Sequence, residues 1–353
     1  MFFLKKPNSA IALAAVTVIS GLLMVSSHLS ATELTGAGAT FPYPIYSKWA
    51  AAYKEKTGVN INYQAIGSGG GLKQIVAKTV DFGASDAPQT IEWQNQNQII
   101  QFPMVVSGIV PIVNIKGLKS GLLKMSGTII ADIYLGKITK WSDPAIKAMN
   151  PLLALPDMPI TPIYRNDGSG TTYNFSSYLA KVSATWREKI GVATALEWPV
   201  GLGAKGNDGV SSLATRVNGS IAYVESNYAK QSQLPFVLVQ NKQGNFPMPT
   251  IASYEAAAAN ANWPAAKGFF LTLSDQPGKE SWPIASASFI LIQKNAVENT
   301  EEMFKFFDWA YRDGDRMARS LDYAPIPIPV VNFIQSTWTA GVMSNGKPVW
   351  NPK

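Results

Sequence analysis

Apolar and polar positions along this chain follow two periods, and the periods alternate. Leu34 opens a short apolar segment that runs into Gly36-Ala-Gly-Ala-Thr40. Tyr46, Trp49 and Tyr53 then recur at spacings of three and four. That spacing predicts a helix over 42–56, with Pro42 in its first turn, Thr40 in the N-cap position and the aromatic stripe in the core. Val59, Ile61 and Tyr63 alternate, which predicts a strand over 59–66. It leads through Gly67-Ser68-Gly69-Gly70-Gly71 into a helix over 72–78. Residues 80–88 read as a strand that ends in polar groups, Ser85 and Asp86. The apolar run 102–115, interrupted by Gly108 and Pro111, predicts two short strands or one kinked strand that crosses between lobes.

Further along, the periodicity predicts helices over 128–135, 143–149, 171–182, 210–216, 254–262, 300–319 and 330–341. It predicts strands over 160–164, 221–225, 236–239 and 282–294, the last as a second crossover. Phe304, Phe307, Ala310 and Tyr311 share one stripe of their helix. Strands alternating with helices indicate an α/β architecture. The 353 residues give room for two domains of ordinary size. Residues 229–280 are polar, alanine-rich and weakly periodic, and no function is legible in them.

Composition narrows the chemistry. Lys5 and Lys6, an apolar run from Ile11 to Val25, and small or polar residues from Ser26 to Ala31 form a secretory signal pattern over 1–30. The run is short for a membrane anchor. Cysteine is absent, which excludes disulfides, a thiol nucleophile and a lipid-bearing N-terminal cysteine. The one histidine, His28, falls in the expected leader, so a mature chain would hold neither a Ser-His-Asp triad nor a histidine-bearing zinc site. Thirty Lys and Arg against 23 Asp and Glu give +7, or +5 without Lys5 and Lys6. The excess is spread out. It favours a small anion and gives no reason to expect nucleic acid.

The candidate chemistry centres on Arg165-Asn166-Asp167-Gly168-Ser169-Gly170-Thr171-Thr172. A guanidinium fork suits carboxylate or phosphate, and the helix start that follows offers unpaired N–H groups and a partial positive charge. Read alone, the stretch is equally a capped helix whose arginine pairs with its neighbouring aspartate. The 67–71 glycine turn resembles a phosphate-binding nest. It is neither a P-loop, lacking Gly-Lys-Ser/Thr, nor a nucleophile elbow, because Ile66 stands where a glycine is required. Asp86 reads as a turn cap or as an inward carboxylate. The 201–209 glycine loop, which contains Lys205 and Asp208, reads as an ordinary loop and helix cap.

Seven motifs occur in order over about residues 34–345: Gly36-Ala-Gly-Ala-Thr-Phe-Pro42, Ile66-Gly-Ser-Gly-Gly70, Val80-Asp-Phe-Gly-Ala-Ser-Asp-Ala-Pro88, Asp132-Ile-Tyr-Leu-Gly-Lys137, Asp167-Gly-Ser-Gly-Thr171, Gly201 to Gly209, and Phe306-Phe-Asp-Trp-Ala-Tyr311. Together they resemble the periplasmic phosphate-binding proteins of bacterial Pst-type ABC uptake systems. The resemblance implies a type II periplasmic-binding-protein fold: two α/β lobes joined by two crossover hinge strands, with a ligand cleft between them. It implies lobe I over 31–112 plus 286–353 and lobe II over 113–285. It implies a phosphate site made by Thr40, Phe41 (through its N–H), Ser68, Asp86, Arg165, Asp167, Ser169, Gly170 and Thr171, with Asp86 accepting the ligand's own proton. It further implies a monomer in the periplasm that delivers inorganic phosphate to ABC permease subunits, with no cofactor, metal or catalytic residue. The alternatives are a binder of another tetrahedral oxyanion, which gains nothing from an inward acid, and a secreted phosphatase, which needs a nucleophile with a base or a metal cluster.

Overall fold

The computed structural model describes residues 32–351; the expected leader over 1–30 lies outside the described residues. Eight strands set the architecture: β1 (Glu33–Gly38), β2 (Asn60–Ala65), β3 (Phe82–Ser85), β4 (Ile99–Val113), β5 (Thr161–Arg165), β6 (Leu202–Ala204), β7 (Ser220–Glu225) and β8 (Ala285–Gln293). They lie in the order β2-β1-β3-β8-β4-β7-β5-β6, and the two-residue strand Ala324–Pro325 pairs with β4 as the ninth.

β4 divides this sheet into two lobes. Its residues Ile99–Gly108 run antiparallel to β8, and its residues Ile109–Val113 run antiparallel to β7. One continuous strand therefore serves both halves, where the sequence predicted two short strands or a kink. Gly108 and Pro111 do not break it, because β4 changes partner there without ending. β1, β2 and β3 are parallel in the first lobe, and β5, β6 and β7 are parallel in the second. The turns after β1, β2, β3 and β5 consequently sit at the carboxyl ends of their strands, where open α/β sheets bind ligands.

Helices follow β1, β2, β5 and β6: α1 (Tyr43–Thr57), α2 (Ser68–Val76), α3 (Gly170–Val182) and α4 (Gly206–Arg216). The expected stripe of α1, Tyr46, Trp49 and Tyr53, is buried, as are Phe304, Phe307, Ala310 and Tyr311. Three expectations need correction. α2 starts at Ser68 and not at Leu72: Gly67 takes φ +91°, and the Gly71 N–H reaches its carbonyl at 3.1 Å, so the glycines already form the first turn. α4 likewise starts four residues early, at Gly206. The helix expected over 300–319 is two, Thr300–Arg312 and Asp315–Ser320. The break is tertiary in origin. The Trp49 indole N–H donates to the Gly314 carbonyl at 3.0 Å, and a Cβ at Gly314 would lie 2.5 Å from that nitrogen.

The sparse region 229–280 holds a helix, Ile251–Ala259, whose Tyr254 hydroxyl reaches Ser226 at 2.9 Å, and only a two-residue strand, Leu238–Val239. Among the described residues no helix is long and apolar enough to cross a membrane.

Candidate functional site

The site builds up from hydroxyl groups that are already accepting. Ser68 Oγ takes the N–H of Asp86 at 3.2 Å and that of Gly170 at 3.1 Å. Ser169 Oγ caps α3 by accepting from Thr172 N–H at 3.0 Å. Thr40 Oγ1 accepts from the Asn207 side chain and main chain at 2.9 and 3.3 Å. Thr171 Oγ1 accepts from Arg165 at 3.5 Å and Asn207 at 3.4 Å. A hydroxyl has one hydrogen and two lone pairs. Each of these four oxygens spends lone pairs on N–H groups, which leaves its hydrogen to donate elsewhere. All four groups are buried.

Helix starts add donors of the same sign. α1, α2, α3 and α4 all begin within this cluster, so four partial positive charges converge on it. The Tyr228 hydroxyl donates to the Thr40 carbonyl at 2.8 Å. In a trans peptide the following N–H points the opposite way, so this bond aims the Phe41 N–H; the Phe41 carbonyl is held by Tyr323 at 2.6 Å. Thr40 does not cap α1 as expected. Pro42 occupies the cap position, with no side-chain cap bond, and that frees the threonine hydroxyl for Asn207.

Arg165, 2% exposed, grips Asp167 with both arms of its fork, Nε to Oδ1 at 2.7 Å and Nη2 to Oδ2 at 2.6 Å. Burial pushes the Asp167 carboxyl up, but the Arg165 bonds and charge, with the Gly206 N–H at 3.1 Å, hold it below the usual carboxylate range. The pair is close to neutral, which leaves the dipoles and hydroxyls as the net attraction for an anion.

Asp86 is the exception among donors. It is 1% exposed, and its Oδ1 has no hydrogen-bond partner among the described residues. Burial pushes its carboxyl up to about 7, against the opposing pull of the nearby Ser288 hydroxyl, the Arg165 charge and the Ser68 hydroxyl. β3 delivers it: Ser85 pairs with Phe289, which brings Ser288 of β8 alongside.

The two lobes meet at this point. The Gly69 N–H donates to the Gly168 carbonyl at 2.9 Å, joining the two glycine turns. A Cβ on Gly170 would lie 2.6 Å from both Asp86 Cβ and Ser68 Oγ, so no other residue fits there. The structure therefore brings all nine expected residues, Thr40, Phe41, Ser68, Asp86, Arg165, Asp167, Ser169, Gly170 and Thr171, into one cluster, buried but for the partly exposed Asp167. It adds Asn207, Tyr228 and Ser288, which sequence reasoning did not single out. The 201–209 loop is not the ordinary cap expected, since it supplies the Gly206 and Asn207 contacts. Its signals in the sequence are its glycines and its place among the seven motifs of the resemblance. Among the described residues no group of three or more acidic or histidine side chains is placed to hold a metal ion.

Comparison with known proteins gives the family. The model of the PBP superfamily domain matches residues 25–313, which sets the class. The phosphate-binding protein PstS of Pasteurella multocida is 50% identical over 323 residues, 91% of this chain and 94% of that one. The phosphate-binding protein PstS of Haemophilus influenzae is 50% identical over 310 residues, 87% and 93% of the two chains. The chain belongs to the PstS family of phosphate-binding proteins. A crystal structure of a Clostridium perfringens protein with bound phosphate, 19% identical, covers 84% of this chain and 100% of its own at a TM-score of 0.62, a likeness of fold.

Proposed function

We propose that this chain is the solute-binding component of a phosphate ABC importer, holding inorganic phosphate between its lobes and handing it to the membrane permease. The observation that carries this reading is Asp86: a buried acceptor with an unpartnered oxygen, set among hydroxyls and helix starts that all donate. Phosphate near neutral pH keeps a proton to give to that acceptor, and sulfate has none. Thr40, Ser68, Ser169 and Thr171 donate through their hydroxyls, Phe41 and Gly170 through backbone N–H groups, and Arg165 through the N–H groups that Asp167 leaves free. Charge-assisted bonds of about 1.5–3 kcal/mol each make a micromolar site, which needs about 8 kcal/mol, reachable after ordering costs.

The reading includes lobe bounds of 31–112 plus 286–353 and of 113–285, supported by the change of partner along β4 and by the start of β8. It includes secretion to the periplasm through the 1–30 leader, a monomeric state, and binding without turnover. Calorimetry tests its core. Phosphate should bind the mature chain and sulfate should not, and Asp86→Asn should relax sulfate rejection more than it weakens phosphate binding. Unchanged sulfate rejection in that variant overturns the role of Asp86. Metal-dependent release of dye from a chromogenic phosphate ester would move the reading to a phosphatase.

A further inference from the structure

Asn207, on the first turn of α4, is fully buried and makes contacts in three directions. Its side-chain Nδ2 donates to Thr40 Oγ1 at 2.9 Å and to Thr171 Oγ1 at 3.4 Å. Its backbone N–H donates to the same Thr40 oxygen at 3.3 Å. Its Oδ1 accepts the Glu225 N–H at 3.3 Å. That last bond fixes which way the carboxamide faces. Turned over, it would set an NH2 group against an N–H donor, so the donor side must face the two threonines.

We propose that Asn207 is a positioning residue that makes the Thr40 and Thr171 hydroxyls donors toward the bound anion. With Asn207 in place, Thr40 Oγ1 accepts twice, and Thr171 Oγ1 accepts from Asn207 and Arg165. Both oxygens have their lone pairs occupied, and their hydrogens turn to the anion. Without it, either hydroxyl is free to turn its hydrogen away and present a lone pair to the ligand, which converts attraction into repulsion. Thr40 follows β1 of the first lobe, while Thr171 and Asn207 belong to the second. The same carboxamide thus orders donors on both sides of the lobe junction, and β7, which carries Glu225, holds it from behind. The inference rests on the phosphate reading above.

A double-mutant cycle tests it, with inorganic phosphate as the probe and calorimetry on the full mature chain. Binding by the wild type is the control, and its failure would refute the phosphate reading and not this inference. Asn207→Ala should weaken phosphate binding on the order of 10- to 100-fold, the loss of about one charge-assisted hydrogen bond. In the Thr40→Val background the same change should cost several-fold less, because the hydroxyl it orients is gone. A residue that only supports the fold would cost the same factor in both backgrounds, and that result overturns the proposal. So does Asn207→Ala binding within twofold of wild type. Cooperative thermal unfolding shows whether each variant folds. If Asn207→Ala does not fold, Asn207→Ser, too short to reach both hydroxyls, takes its place in the cycle under the same criteria.

Discussion

Two buried carboxyls, Asp86 and Glu225, govern how this protein responds to pH. Burial raises Asp86 to about 7 and Glu225 to about 8. Glu225, at the end of β7, has Oε1 bound by the Ser107 hydroxyl of β4 at 2.7 Å and Oε2 without a partner among the described residues. A folded-state pKa above the unfolded one means the native state holds more protons. Its stabilising contribution is complete below about pH 4 and is lost as pH climbs through the folded value. The ligand-free protein should therefore lose stability between pH 5 and pH 8. Asp86→Asn and Glu225→Gln should each flatten that fall, but only Asp86→Asn should alter the choice between phosphate and sulfate. Thermal midpoints at several pH values check this, and a wild-type profile that rises from pH 5 to 8 contradicts it. Asp167 works in the opposite sense: its contribution is present above the ordinary aspartate range and is lost only in acid.

At the scale of elements, what was legible in the sequence depended on how local the cause was. The Arg165–Thr172 stretch could be read because its parts touch one another: Arg165 grips Asp167, and Ser169 caps the helix it begins. The crossover role of 102–115 follows from its long apolar run, in spite of Gly108 and Pro111. Asn207 could not be read, since the oxygens it serves are 167 and 36 residues away. The same holds for the break at Gly314, set by an indole from α1. Neither carries a periodic signal. The start of α3 shows how tightly the elements fit. Its Gly170 N–H bonds Ser68 at the start of α2, and the Asn174 amide on its next turn donates to the Asp86 carbonyl at 2.6 Å. Gly170→Ala should leave secondary structure intact yet force these helix starts apart, because the added methyl would overlap Asp86 and Ser68. Overpacking of this kind costs about 1–3 kcal/mol in stability, and the effect on phosphate affinity should be larger, since donors on both lobes move. Circular dichroism with calorimetry separates the two effects, and near-wild-type affinity would show that the junction can yield.

At the scale of the molecule, the cluster is also the junction between the lobes, so ligand and lobe contact reinforce each other. Tyr228 and Asn207 hold Thr40 across the junction, Gly69 meets Gly168, and Ser68 meets Gly170. Neutral hydrogen bonds of this sort contribute about 0.5–1.5 kcal/mol each. They are too weak to lock the lobes alone, yet sufficient to orient them. An anion that draws on donors from both sides should stabilise the native state by mass action. The expected gain is RT ln(1 + [L]/Kd), about 2.7 kcal/mol at a hundredfold excess over Kd. Differential scanning calorimetry should show the unfolding midpoint rising with the logarithm of phosphate concentration while equal sulfate leaves it in place. In Asp86→Asn the two anions should shift the midpoint by more nearly equal amounts. If sulfate already stabilises the wild type as well as phosphate does, selectivity does not reside in Asp86, and the hydroxyls and helix starts bind any tetrahedral dianion that fits.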